Sequence, residues 1–335
     1  MDTLYSNVQY NLDLKKYFKN SRICFFDIET TGFSRNNDTV YLVGILSGDD
    51  GKYTLKQYLL ESIGEEMMLL KTLIPEFKNS DYIINFNGDS FDIPFLNHKY
   101  KKYNIDYEIP ISKSIDIYKI VKDNKYLFEI ENLKLKSIEK YLNINRDDEL
   151  SGGQCISLFY DYINNKNEQS KKLILKHNYD DIYYLPHILK ILDVIEEKST
   201  IQISHEKIKN KFLKIKMKNF QISNDMININ CVTDKFPKEP IIVYGNSYNF
   251  NWEQKKGMLR IQFQIEHGIL SNMKKCIYVN LENFEPKLNI KDNTIYNLPE
   301  NIVLIQIEKN FIIDNIKNII LELFKCQRDV LFATY

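Results

Sequence analysis

The stretch Ile23-Cys24-Phe25-Phe26-Asp27-Ile28-Glu29-Thr30-Thr31-Gly32-Phe33-Ser34 decides how the rest of this chain is read. Its first four residues are an apolar run, the pattern of a buried β-strand, and the run ends in two carboxylates separated by one isoleucine. Strand side chains alternate between faces, so Asp27 and Glu29 point the same way while Ile28 returns to the core. Two acids side by side repel, and crowding them raises the pKa of at least one, so the pair is costly unless a cation lies between them. A divalent metal is the obvious cation, and two solvated acids at a strand end are the alternative. Gly32 allows a turn and a close ligand approach, and Phe33 offers an aromatic face beside the acids.

Length and composition bound the answer. At 335 residues the chain can bury a sizeable core and is expected to form two domains, 1–198 and 199–335. Lys+Arg and Asp+Glu both number 45, so no global field draws in a polyanion, and any such contact must come from a local patch. Arginine occurs only at Arg22, Arg35, Arg146, Arg260 and Arg328, so bidentate phosphate forks are scarce. The Lys, Asn, Ile and Tyr bias suggests an AT-rich bacterial genome. Five scattered cysteines without a C-x-x-C pair indicate neither a disulfide framework nor a zinc site, which fits a cytoplasmic protein. No stretch approaches the length of a membrane helix.

After the opening strand, Thr39 to Leu46 and Tyr53 to Leu60 are β-branched and aromatic runs around a GDDG turn, a hairpin signal. Glu61 to Phe77 carries apolar residues at the helical period, Asp81 to Phe86 is a short buried strand, and Pro94 places Asp92 at a strand-to-helix junction. Ile109 to Ile117 reads as another strand, with Asp116 as a second acid near the site or a helix cap. From Leu133 the pattern is helical, ending in one long segment from Gln169 to Glu197. Ser151-Gly152-Gly153 is the start of a helix rather than a phosphate loop. Strands, then alternation, then helices give an α/β arrangement with a mixed sheet. Beyond Lys198, strand-like runs at Met226–Val232, Ile241–Tyr244, Leu259–Ile265, Cys276–Val279 and Ile302–Ile307 predict a β-rich accessory domain closed by a helix from Phe311 to Phe324.

Mg²⁺-dependent phosphoryl chemistry needs carboxylates converging from separate elements. Asp27, Glu29, Asp92 and Asp181 are the candidates. His177 lies one helical turn before Asp181 on the same face and can serve proton transfer beside it. Asp180 points about 100° away and is expected in solvent. These residues resemble three motifs of the DnaQ-like 3′–5′ exonucleases of the RNase H-like superfamily: FFDIETTGF the first, NGDSFDIP (Asn87, Phe91, Asp92) the second, HNYDDI with Asp181 the third. The segment LKLKSIEKYLNINRDDELSGG is most similar to the YprB-type branch of predicted bacterial exonucleases. The motifs come in order, 65 residues from Asp27 to Asp92 and 89 from Asp92 to Asp181, and the resemblance covers roughly residues 20 to 197.

The resemblance implies an RNase H-like mixed sheet flanked by helices, four acids holding two Mg²⁺ or Mn²⁺ ions, and hydrolysis of single-stranded DNA or RNA from the 3′ end. Thr30, Thr31, Gly32, Phe33, Asn87 and Phe91 are the candidate substrate contacts. Asn87 and Phe91 have a second reading as a turn amide and a core aromatic, and Phe33 as a buried staple. One departure stands out: histidine occupies the spacing at which the family carries tyrosine, so His177 is expected to take over water positioning. A structure-specific endonuclease with the same site, and a nucleic-acid-binding scaffold with a weak site, are the competing functions. The lysines Lys207, Lys209, Lys211, Lys214, Lys216 and Lys218 read either as the protected face of an edge strand or as a stripe that tracks phosphates.

Overall fold

Asp27 and Glu29 lie on a strand in the middle of a six-stranded sheet, with neighbours on both sides. The computed structural model describes residues 1–10, 12–49, 52–146, 150–204, 212–254 and 257–327. The chain divides into two units, Met1–Asp123 with Ile130–Ile191, and Asn124–Glu129 with Leu192–Tyr335.

The first unit opens with β1 (Asp2–Gln9), the short helix α1 (Lys15–Phe18), β2 (Ile23–Thr30), β3 (Val40–Asp49) and β4 (Lys52–Leu59). Next come α2 (Glu66–Lys78), β5 (Tyr82–Asn85), α3 (Asp92–Lys102), β6 (Ser114–Asp116) and α4 (Ile117–Asp123). The helices α5 (Leu135–Tyr141), α6 (Gly152–Asn165) and α7 (Glu168–Ile188) complete it. The strand order is β1-β4-β3-β2-β5-β6. β1, β4, β3 and β2 are antiparallel neighbours, and β5 and β6 continue in parallel. The expected hairpin is β3–β4, and β1 pairs along the whole of β4, a strand that the mixed polarity of its sequence concealed. Only Ser114–Asp116 of the expected Ile109–Ile117 strand pairs in the sheet. Ser151 opens α6 with a capping box to Gln154.

The long helical segment expected from Gln169 to Glu197 is two helices, α7 and α8 (Lys190–Ser199). Pro186 stands in the last turn of α7, where its ring removes a backbone donor and weakens continuation. Asp180 corrects another expectation. It is buried and pairs with Lys176 one turn earlier, Nζ to Oδ2 2.6 Å.

The second unit carries β7 (Thr200–Ser204), β8 (Phe212–Ser223), β9 (Met226–Thr233), β10 (Ile241–Tyr244), β11 (Tyr248–Trp252) and β12 (Met258–Gln264), an antiparallel sheet in the order β10-β11-β12-β9-β8-β7. A smaller antiparallel sheet has β13 (Glu266–Ile269), β14 (Lys275–Asn280), β15 (Ile302–Ile307) and β16 (Asn310–Phe311), and α9 (Ile313–Cys326) follows. β8 lies between β9 and β7, so Lys214, Lys216 and Lys218 are on an interior strand, not on an edge; Lys207, Lys209 and Lys211 lie outside the described residues. Cys24, Cys155, Cys231, Cys276 and Cys326 are free thiols. No helix among the described residues is long and apolar enough to cross a membrane.

Candidate metal centre

β2 supplies two acids by simple alternation: Phe26 and Ile28 are buried in the core while Asp27 and Glu29 face a cleft. Directly across the ladder from Asp27 stands Gly44 of β3. A side chain there would collide with Asn178 and Ile182 of α7, so the missing Cβ lets α7 pack close over the acids. Asn178, fully buried, donates to Asp27 Oδ2 (3.4 Å), and its own Oδ1 accepts from Gln57 on β4 (3.0 Å), whose amide also reaches Leu175 O (2.8 Å). This relay fixes the register of α7 against the sheet. One residue earlier on the helix, His177 is buried, with Nε2 3.5 Å from Glu29 Oε1 and 3.4 Å from Asp181 Oδ2. One ligand atom from each of Glu29, His177 and Asp181 lies within 4.8 Å of the other two.

Asp92 arrives from the opposite side. It begins α3, where the helix N-terminus favours an anion, and its Oδ1 accepts from Ile28 N (3.2 Å), tying it to β2 between the two acids of the first motif. Burial pushes the Asp92 carboxyl up to about 7 despite these backbone donors. Burial, followed by the charges of Asp92, Asp181 and Glu29, holds Asp27 well above the ordinary carboxylate range, and the Asn178 amide opposes this. The buried Tyr41 hydroxyl, raised first by burial and then by Glu29, adds no positive charge here. Such a cluster of desolvated acids is costly by itself and favourable around a cation, so its donor set fits a hard divalent metal.

The predicted substrate contacts occupy distinct places. Thr30 Oγ1 donates to Gly32 O (2.7 Å), and Thr31 Oγ1 accepts from Thr39 N (2.9 Å), so both hydroxyls shape the loop after β2. Gly32 is packed against the Asp38 carboxylate, where a Cβ would not fit. Phe33 is 89% exposed rather than a buried staple, and its ring meets Phe91 edge-on with centroids 6.0 Å apart. Asn87 has φ 66, a left-handed conformation that asparagine tolerates, and its N–H donates to Asp116 Oδ1 (2.8 Å). Asp116 also accepts from Asp89 N and Lys119 N, so it both anchors the second motif's loop and caps α4. Beside Asp27 a cleft of about 460 Å³ is lined by Asn87, Phe86, Tyr118 and Lys134 among others.

Two residues that sequence reasoning passed over belong to the site. Asn178 sits beside His177 in the third motif and was hidden by the attention its neighbours draw. Arg146, in the segment similar to the YprB-type branch, has a buried side chain that bridges two acids: Nη1 is 2.5 Å from Asp181 Oδ1 and 3.2 Å from Glu139 Oε1. Its signal was the rarity of arginine in a lysine-rich chain. Tyr179 and Tyr183 stack on each other (5.6 Å, 13°), and Tyr10 donates to Tyr183 O (3.0 Å), an aromatic brace for α7.

The RNase_H superfamily signature matches residues 24–193, just over half of the chain and the whole of the acidic cluster. The chain belongs to the RNase_H superfamily. It is homologous to the uncharacterized protein YprB of Bacillus subtilis (strain 168), with 26% identity over 184 residues, 54% of this chain and 44% of YprB; it thus spans less than half the length of that relative. Two solved structures are among those to which the chain is similar. The family B DNA polymerase of the hyperthermophilic archaeon Pyrobaculum calidifontis aligns with 51% of this chain and 24% of its own, at 15% identity and a TM-score of 0.43. Apo exonuclease I aligns with 63% of this chain and 56% of its own, at 10% identity and a TM-score of 0.32.

Proposed function

We propose that the RNase H-like domain, residues 1–198, is a metal-dependent 3′–5′ exonuclease acting on single-stranded DNA or RNA, and that residues 199–335 form an accessory domain. One observation carries the reading: Asp27, Glu29, Asp92 and Asp181 converge from a strand and two helices, with His177 aimed among them. Asp27, Glu29, Asp92 and Asp181 would hold two Mg²⁺ or Mn²⁺ ions, which supply charge stabilisation for the attacking and leaving oxygens. The chain's own residues do the rest. His177 Nε2 lies where it can hold or pass a proton of a water gathered by Glu29 and Asp181. Asn178 holds the Asp27 carboxylate in place, and Arg146 fixes the rotamer of Asp181 so that Oδ2 stays on the His177 side. Phe33, exposed and braced by Phe91, is placed to stack on a terminal base, and Asn87 lines the cleft beside Asp27.

The test is purified protein with Mn²⁺ and a 5′-labelled single-stranded oligonucleotide. Stepwise shortening from the 3′ end, absent in Asp27→Ala and on a circular strand, is the expected result. Cleavage of the circle would make the enzyme an endonuclease, and no cleavage at all would sink the reading.

A further inference from the structure

The six-stranded sheet of the second unit has two unlike faces. Ile227, Ile229, Ile261, Phe263, Phe250 and Trp252 form a buried face, and Phe250 packs on Phe324 of α9, ring centroids 5.0 Å apart. Alternation puts the intervening residues on the other face, which is open to solvent. None of the residues in these six strands is Asp or Glu, although acids equal bases in the chain as a whole. The charges that remain are Lys214, Lys216, Lys218 and Arg260.

The open face is an array of amides in register. One row crosses five strands as Tyr244, Asn249, Gln262, Asn228 and Gln221. The next crosses as Ile242, Asn251, Arg260, Asn230 and Asn219. Each row spans four interstrand steps, roughly 19 Å. The side chains are held along the rows: Asn230 donates to Asn219 (2.7 Å), Arg260 Nε to Asn230 (3.4 Å), and Gln262 to Asn228. Tyr244 ends one row at 79% exposure. Among the described residues the nearby acids stand outside the strands: Glu196 pairs with Lys216, Asp234 accepts from Lys214 N, Asp225 lies between β8 and β9, Glu239 precedes β10 and Glu253 follows β11.

We propose that this open sheet face binds single-stranded nucleic acid. The bases would lie across the amide rows and Tyr244, and the phosphates would meet Lys214, Lys216 and Arg260. Amides present donors and acceptors together, which matches the edges of unpaired bases, and an exposed ring stacks on any base. With no carboxylate on the strands themselves, a polyanion meets like charge only at the margin, where a phosphate would compete with Glu196 for Lys216, in a chain whose net charge gives no attraction of its own. A protein surface seeking an ordinary protein partner would be expected to carry more aromatic and aliphatic area at its centre than these rows do.

The face is separate from the acidic cluster, and its test needs no cleavage. The full-length protein in EDTA is titrated into a fluorescein-labelled oligo(dT), and anisotropy is read at several salt concentrations. The triple variant Lys214→Glu/Lys216→Glu/Arg260→Glu is expected to bind at least about 30-fold more weakly, with the slope of log K against log salt reduced by about 2, three phosphate contacts on a single strand. Asn230→Ala and Arg260→Gln, mild enough to fold if the triple variant does not, are expected to lose about 3- to 10-fold each. An unchanged affinity and salt slope in all three variants overturns the proposal. So does a parent that fails to bind, or one for which poly-glutamate competes as well as the unlabelled strand.

Discussion

Replacing Asp92 by asparagine is expected to stabilise the metal-free protein while abolishing its response to metal. Asp92 is buried, and its carboxyl titrates near 7 in the fold against about 3.8 when the chain is unfolded. A raised folded-state pKa contributes its full stability below the unfolded value and loses it as pH rises through the folded one. With about 1.4 kcal/mol per unit, the ionised group costs about 4 kcal/mol above pH 7, and about 3 kcal/mol of this accumulates between about pH 5 and pH 8. Asparagine keeps an acceptor for Ile28 N and carries no charge. The assay is calorimetric unfolding in EDTA at the two pH values, following the transition that Mn²⁺ shifts. The parent's transition should fall by several degrees between pH 5 and pH 8 relative to Asp92→Asn, because 1 kcal/mol moves a domain of this size by about 2–4 °C. Mn²⁺ should raise the parent's transition and leave the variant's nearly unmoved. A variant no more stable than the parent at pH 8 in EDTA would refute the reasoning, since burial of the ionised Asp92 would then carry no cost.

Gly44→Ala places a methyl group against Asn178 and Ile182 and is expected to cost about 1–3 kcal/mol and to weaken Mn²⁺ binding, measured by urea unfolding and calorimetric titration. Arg146→Gln leaves Glu139 and Asp181 without their shared cation; a loss of about 3–5 kcal/mol in metal-free buffer is expected, partly recovered on adding Mn²⁺, and a loss below 1 kcal/mol would contradict the bridge. His177→Gln should lower kcat by about 10²–10⁴-fold with KM nearly unchanged, and an equal rise in KM would instead make His177 a substrate contact. Lys99→Met strands the buried Glu66, which also holds Val40 N and the Tyr103 hydroxyl, and should destabilise the first unit by several kcal/mol at neutral pH, read by thermal melting.

Much of this protein was legible in its sequence because the informative signals are local. Alternation along FFDIET determines that Asp27 and Glu29 share a face and Ile28 does not, a consequence of strand geometry at any position in any sheet. The apolar periods located β3, β4, α2, β9, β10 and β15, since each of these buries one side against a core. The one-turn spacing of His177 and Asp181 placed them together for the same reason. Only the tertiary structure could decide what depends on which element lies opposite. β1 is mixed in polarity, and its pairing with β4 comes from backbone complementarity that leaves little trace in side chains. Asp180 looked solvated until α7 lay flat on the sheet and buried it beside Lys176. β8 became an interior strand through its pairing with β7. Arg146 acquired its place because two acids, one 35 residues and one 7 residues away in the chain, meet only where α5 and α7 converge. The burial of Asp27 and its repulsion by the neighbouring acids are likewise properties of distances set by three elements at once, and they are what the proposed metal ions would relieve.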